Sequence, residues 1–433
     1  MTQLKLSPAQ AKAVERIAQE PTKAALIASE LGTGKAQPIS ELVLTPTGYR
    51  HMGDVLPGDY VVGSDGKAVR VLSVFPQGEK EIVRMNFSDN TSVRCTWDHL
   101  WTVREHYGHQ DKWVTKTTRE LVDCGLSFDF PSQKNFNTHR FFMPFVGPVE
   151  FESTTDSYPL DPYTLGVLLG DGSLAFGPSL NTDIEIKNAV ILPEGASFGE
   201  NETRSRADYN GQWNIRGLLP ILREMGLRKK SAEKFVPSEY LYAPVEVRRA
   251  VLAGLLDTDG SVSKIAIEYG TVSAQLADDM EFLVRSLGGT AKRTVRQPWY
   301  TYKGERRQGQ TFYRLAIRLP ENPFRLARKR DALKNSTKYP LKKAIDSVEV
   351  VGYEQAQCLY VASKDHLYVT KDFVVTHNTV LAVEAAHAVG AQTVLVIAPI
   401  ATFDGWRSTF QGQYPDWPVY EITARKPKAF DLL

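Results

Sequence analysis

Two stretches far apart in the chain make chemical sense only when joined. Gly32-Thr33-Gly34-Lys35 stops in the middle of a phosphate-binding loop, whose glycines let backbone N–H groups turn inward and whose lysine supplies charge. The segment Thr379-Val380-Leu381-Ala382 begins in the middle of a helix. Joined, Ser29-Glu30-Leu31-Gly32-Thr33-Gly34-Lys35-Thr379-Val380-Leu381 reads as a complete loop, with Ser29 where the usual pattern has glycine. Residues 36–378, 343 in all, therefore read as a guest inside a host, and His377-Asn378 reads as its exit cut. Gly32, Gly34, Lys35 and Thr379 would hold ATP and Mg2+ only in the rejoined host.

A second set of chemical residues lies inside the guest. Asp161-Pro162-Tyr163-Thr164-Leu165-Gly166-Val167-Leu168-Leu169-Gly170-Asp171-Gly172 and Leu252-Ala253-Gly254-Leu255-Leu256-Asp257-Thr258-Asp259-Gly260 are two copies of one helix-like motif. Asp171 and Asp259 stand 88 residues apart, which marks an internal duplication. Gly166 and Gly170, four apart, share one helix face and let two helices pack closely. Each aspartate ends its helix, where a carboxylate opposes the helix dipole. That cost makes sense where a divalent cation sits. A calcium loop of the EF-hand type is excluded, since no glutamate stands where that loop needs one. From Thr290 to Ala344 there are sixteen Lys/Arg against three acids, a net +13 in a chain whose total is +2. Trp299, Tyr300, Tyr302, Phe312, Tyr313 and Phe324 are interleaved with them, a pattern that points to nucleic acid rather than to a solvated face.

The host pieces position their loop simply. Ser7-Pro8-Ala9-Gln10 caps a helix running to about residue 19. Ala24 to Ala28 is a buried strand, Val380 to Ala388 a helix closed by Gly390, and Gln392 to Ala398 a second strand. Strand, loop, helix and strand form the opening of an α/β RecA-like ATPase. Gln10 near Leu6-Ser7-Pro8, and Val394 to Pro399 running on to Trp406, resemble early motifs of superfamily 2, Snf2-like helicases. That resemblance covers 90 residues, without the acidic box that holds magnesium and water, so it implies a helicase fragment.

The guest's outer parts read as short strands and turns, such as 40–44, 60–63 and 69–74, punctuated by Gly48, Gly53, Gly58 and Gly66. Met52 to Asp59, then Thr96-Trp97-Asp98-His99, then Asp365-His366-Leu367-Tyr368-Val369-Thr370, then His377-Asn378 resemble the ordered blocks of the all-β Hint fold of inteins. Most inteins begin with Cys, Ser or Thr; this guest begins with Ala36, which has no nucleophile. Either splicing is lost or another residue attacks first. Trp101, Cys358 and Thr376 fall where class 3 inteins carry their signature residues. The resemblance implies that Thr96 and His99 activate the Lys35–Ala36 bond, that Cys358 attacks the Lys35 carbonyl, and that Thr379 then takes the acyl group. Asn378 would cyclise, with His377 as proton donor and His366 assisting. Trp101 donates its indole N–H or walls the pocket. No cofactor is implied for splicing.

The duplicated motif resembles the LAGLIDADG homing endonucleases in their two-motif, single-chain form. The resemblance implies an α+β domain that holds Mg2+ at Asp171 and Asp259 and hydrolyses one phosphodiester on each strand of double-stranded DNA at the host gene's insertion site. Asp257 is then structural or supporting. Lys234 resembles the family's basic residue near each site, and Lys329 is its counterpart in the second half.

The expected organisation is mixed: host 1–35, Hint part 36–150, endonuclease 151–345, Hint part 346–378 and host 379–433. No run of 18 apolar residues suggests a membrane span, and the start of the sequence has no charged-then-apolar signal pattern. Cys95, Cys124 and Cys358 offer no disulfide framework, which suits a reducing, cytoplasmic setting, and a monomer is expected.

Overall fold

The structure, a computed structural model, describes residues 24–28, 36–107, 110–129, 137–153, 155–199, 211–263, 265–334, 340–365, 367–377 and 393–397, with residues 407 and 418. The expected helices near residues 8–19 and 380–388, and Gly32, Gly34, Lys35, His366, Asn378 and Thr379, lie outside the described residues.

An antiparallel ladder forms the outer body. Strand Ala68–Phe87 pairs with Ile345–Val361 from Ile345 opposite Phe87 to Val361 opposite Val71. These are longer than the short strands expected from the sequence. The reason is that pairing continues past Pro76 and Gly78 by shifting register between Ala356 and Gln357. The residue left over at this shift is Gln77, with Gly78 opposite Ala356 and Pro76 opposite Gln357. Gln37–Pro38 lies on one edge of this sheet, Tyr60–Val62 on the other, and Ser92–Thr96 pairs with residues 82–86. A hairpin, Leu100–Tyr107 with Gln110–Thr117, continues the body. Alternating side chains from these strands bury Val83, Met85, Val93, Cys95, Trp101 and Val103 together. A small hairpin, Leu367–Val369 with Val375–His377, closes it through the turn at Lys371–Phe373.

Phe142 and Ala344 are bridge partners, and residues 146–152 run on against the outer body, Gly147 and Glu150 donating to the carbonyls of Ser64 and Gly66. Between Phe142 and Ala344 stands a duplicated α+β body. Helix Pro162–Asp171 and helix Val245–Asp259 pack side by side, each followed by a four-stranded antiparallel sheet. Asp161 caps the first helix, its carboxylate accepting from the Thr164 N–H at 2.9 Å ahead of Pro162. The helices touch backbone to backbone at Gly166 and Gly254, which occupy equivalent positions in the two copies. A Cβ on Gly166 would lie 2.2 Å from the Val251 carbonyl oxygen, and one on Gly254 2.3 Å from that of Tyr163.

The host strands Ala24–Ala28 and Thr393–Ile397 pair in parallel, with Ala24 opposite Thr393. Among the described residues no helix is long and apolar enough to cross a membrane.

Gly166→Ala is expected to destabilise the α+β body by about 1–3 kcal/mol, because the added methyl meets backbone that cannot yield. Urea unfolding of the variant against the parent measures it. An unchanged midpoint would show that the helices are not held at this separation.

Candidate functional site

Two sites form, one in each body. The first gathers residues from both ends of the guest. Ala36, wholly buried, donates its N–H to the Thr96 hydroxyl at 3.2 Å. Its carbonyl accepts from the Thr96 N–H at 3.0 Å and lies 3.1 Å from the Thr96 hydroxyl. The first residue of the guest is thus clamped on all its backbone groups by one side chain and one strand end. Three residues on, the His99 N–H bonds back to the Thr96 carbonyl at 3.2 Å, and its Nε2 meets the Thr376 hydroxyl. Thr376 sits one residue before His377, which pairs with Leu367 and is half-buried. Entry and exit blocks, far apart in sequence, therefore meet at His99.

The register brings the thiol to the same place. Gln37 stands opposite Gln357 and Pro38 opposite Ala356, so the next residues on the two strands are Ala36 and Cys358. The Gln37 side chain is fixed by the Tyr368 hydroxyl, which donates to its Oε1 at 2.9 Å. Cys358 is buried, only 4% exposed. Cys95 lies nearby, but burial pushes its thiol up to about 12, which keeps it protonated and inert.

Trp101 shows both features that the sequence offered as alternatives. Its indole N–H donates to the Thr118 hydroxyl at 2.9 Å, while its ring stands edge-on to His99 with centroids 4.8 Å apart. Thr118, which the sequence reading passed over, takes this bond and turns its own N–H to the His99 carbonyl at 2.9 Å. The available signal was its place after Thr117, which with Glu120 forms a capping box on the helix Thr118–Asp123. The expected host loop residues, His366, Asn378 and Thr379 cannot be placed in this geometry, because they lie outside the described residues.

The second site lies at the feet of the paired helices. Asp171 and Asp259 end their helices and face one another. Desolvation raises both carboxyls, and the Asp171 charge adds to it at Asp259, which is pushed up to about 6; the Lys234 and Lys329 ammoniums oppose the rise. The two lysines occupy matching posts. Lys234 Nζ donates to the carbonyls of Leu169, Gly170 and Gly172 at 2.7, 3.0 and 2.8 Å. Lys329 Nζ donates to those of Asp257, Thr258 and Gly260 at 2.6, 3.1 and 2.5 Å. Each ammonium satisfies the orphan carbonyls of a helix end and offsets its dipole. Asp257 takes no part in this face: it is buried, accepting from the Tyr163 hydroxyl at 2.9 Å and the Leu326 N–H at 3.1 Å.

Two crowded carboxylates without a proton between them repel. A hard divalent cation, which prefers oxygen donors, fits that pair. Among the described residues no group of three or more His, Cys, Asp or Glu side chains is poised on a metal, so remaining ligands would come from backbone, water or phosphate. The basic strands Thr290–Arg296 and Phe312–Arg318 belong to the second sheet, and the hairpin of Trp299–Tyr302 with Glu305–Gln308 projects from them fully exposed. Arg306 lies over the Trp299 ring and Arg307 over Tyr302.

Residues 246–319 match the LAGLIDADG-like domain family. The chain is 26% identical over 384 residues to the replicative DNA helicase DnaB of Mycobacterium intracellulare, covering 83% of this chain and 61% of that protein. It is 36% identical over 118 residues to the homothallic switching endonuclease of Saccharomyces cerevisiae, covering 25% of this chain and 19% of that one. The chain thus spans less than two thirds of either relative. Among solved structures, the MchDnaB-1 intein aligns over 79% of this chain and 100% of its own, at 12% identity and a TM-score of 0.25. The expected Snf2-like host is not supported, because the long match is to a DnaB protein, a RecA-like helicase.

Metal-free Asp259→Asn protein is expected to melt higher than the parent at pH 7.5. The folded carboxyl titrates near 6 and the unfolded one near its ordinary value, so the parent's penalty is full above 6. The advantage should shrink as pH falls from about 6 towards about 4, where folded and unfolded carboxyls are both protonated. Calorimetry across that range measures it; an advantage that does not vary with pH would contradict the crowded-carboxylate geometry.

Proposed function

We propose that this intein, with its LAGLIDADG endonuclease domain, excises residues 36–378 and joins Lys35 to Thr379, and that the embedded domain cleaves both strands of duplex DNA at the uninterrupted host sequence. One observation carries the splicing reading. Ala36 and Thr376, each beside a junction, converge on the Thr96–His99 segment, with Cys358 next to Gln357 on the strand that pairs with Gln37.

The chemistry follows from those positions. Thr96 holds the backbone of Ala36 and, with His99, withdraws density from the bond before it. The Cys358 thiolate attacks the Lys35 carbonyl carbon, the C–N bond to Ala36 breaks, and the Ala36 nitrogen leaves with a proton. A thioester branch results. The Thr379 hydroxyl displaces the thiolate and carries the acyl group as an ester. The Asn378 side-chain nitrogen attacks its own carbonyl carbon, closing a succinimide and releasing the Thr379 amine, with His377 donating the proton and His366 assisting. That amine attacks the ester carbonyl and forms the Lys35–Thr379 peptide bond. Proximity supplies much of the acceleration, since each attack is intramolecular.

In the α+β body, Asp171 and Asp259 would hold a divalent cation such as Mg2+, which would supply charge to polarise the phosphodiester and to lower the pKa of an attacking water. Lys234 and Lys329 keep the two carboxylate-bearing helix ends in place. The basic sheet and its exposed aromatic hairpin take the phosphate backbone and groove edges. The host is a RecA-like helicase of the DnaB kind, whose ATP loop is whole only after splicing.

Two experiments test the pair of activities separately. Cys358→Ala is expected to abolish the branched species on denaturing gels and by mass spectrometry, whereas Asn378→Ala should make it accumulate. Normal ligation by Cys358→Ala would remove the thiol from the pathway, and release of separate host pieces by the parent would mean cleavage without ligation. On linear DNA carrying the rejoined host sequence, Asp171→Asn should lose more than a hundredfold of the cleavage rate while still retarding the DNA. Cleavage at the parent's rate would rule out Asp171 as a cation ligand.

A further inference from the structure

The turn that leads into the exit junction is held by a residue from the other body. Asp372 and Phe373 both lie in the left-handed region, at φ 56° and 57°. For a residue as bulky as phenylalanine that conformation persists only where the surroundings over-determine it. Val375–His377 follows directly, and Thr376 reaches His99 from it. The shell offers part of the support: the Thr370 N–H donates to the Val374 carbonyl at 2.9 Å, and Tyr49 stands edge-on to Phe373 at 6.0 Å.

The rest comes from helix Ala274–Ser286 of the endonuclease body. Arg285, 7% exposed, places Nη1 3.2 Å from Asp372 Oδ1 and 3.4 Å from Glu281 Oε2. Its Nη2 donates to the Ala291 carbonyl at 3.1 Å, so the guanidinium is braced on its own body while it grips the turn. Phe282 meets Phe373 edge-on at 5.2 Å and is itself stacked on Phe151 at 5.8 Å. The same helix packs against Thr290–Arg296 and Phe312–Arg318, the strands of the basic sheet.

We infer that Arg285 and Phe282 are positioning residues for splicing: they hold Asp372 and Phe373 in the left-handed turn and so set Thr376 and the exit junction against His99. The inference rests on the splicing reading above. It makes the endonuclease body part of the splicing apparatus, not a passenger. Loss of that body would require a replacement support for the turn.

The test follows single-turnover splicing of the full chain by denaturing gel and mass spectrometry. Arg285→Ala and Phe282→Ala are each expected to slow the exit step on the order of tenfold, so that branched species accumulates while its formation keeps the parent's rate. Asp372→Gly placed in the Arg285→Ala background should restore most of the exit rate, since glycine adopts positive φ without strain. A variant that merely loosens the fold would slow both steps and would not be relieved by that glycine. Unfolding midpoints recorded alongside report whether the bodies stay folded. Parent-like exit rates in both alanine variants would overturn the inference, as would equal slowing of both steps without rescue by Asp372→Gly. A parent chain that fails to splice would remove the splicing reading itself, a result distinct from either.

Discussion

Everything in the outer body depends on the ladder between Ala68–Phe87 and Ile345–Val361. Closing a loop of more than two hundred residues costs only slowly more entropy as the loop grows. The cost is offset here by the long run of paired residues between Val71 and Phe87. One strand of this ladder carries Cys358, and its outer edge carries Gln37, next to Ala36. The other strand pairs with Ser92–Thr96, which ends at the residue that clamps Ala36. Slide the ladder by one residue and every alternating side chain changes face. The thiol and the first guest residue would then part. The bulge between Ala356 and Gln357, immediately before Cys358, fixes that register.

The same ladder explains how a large body can sit inside a small one. Phe142 and Ala344, which flank the insert, are bridged to one another, and residues 146–152 still pack on the outer body. A domain whose ends lie together can be accommodated without distorting its host. Contacts nevertheless cross the seam. Arg248, fully buried, donates to the Ala243 carbonyl at 2.9 Å and the Ser286 carbonyl at 3.1 Å, and also reaches the Val149 carbonyl. Lys343 and Asp89, both nearly inaccessible, pair at 3.2 Å, with Arg285 near enough for its charge to act on both. Removing one partner of such a buried pair leaves an uncompensated charge, which costs far more than the pair contributes. The two bodies are therefore fastened by groups that do not tolerate separation.

Much of this was legible in the sequence, for physical reasons that differ from place to place. Gly166 and Gly170 on one face stated that two helices pack closely; Gly166 does meet the backbone of Val251 and Gly254, while Gly170 faces the Thr258 side chain and Gly254 went unread. The pairing of Lys234 with Lys329 was visible only as a guess, because nothing in their local sequence says that each ammonium caps the C-terminal end of its own motif helix. Thr118 carried only the helix-start signal of Thr117 and Glu120: its partners, Trp101 and the His99 carbonyl, come together only through the hairpin. The long strands were read as short ones because Pro76 and Gly78 look like breaks until a partner strand supplies the bulge. The Arg285–Asp372 contact could not be read at all, since an ion pair across two bodies leaves no periodicity.

The host strands give the last constraint. Ala24–Ala28 and Thr393–Ile397 are parallel neighbours while the guest is still in place. Parallel neighbours need a crossover of a dozen residues or more, usually through a helix. Before excision that crossover contains the whole guest; after it, only residues 29–35 and 379–392, enough for the loop and one helix. The sheet position of both host pieces is thus set before any bond is cut. The two host strands are thus neighbours although the guest lies between them in sequence. The guest can be long because the strands that hold its two junctions together, and the strands that hold its host together, each close their own ladder.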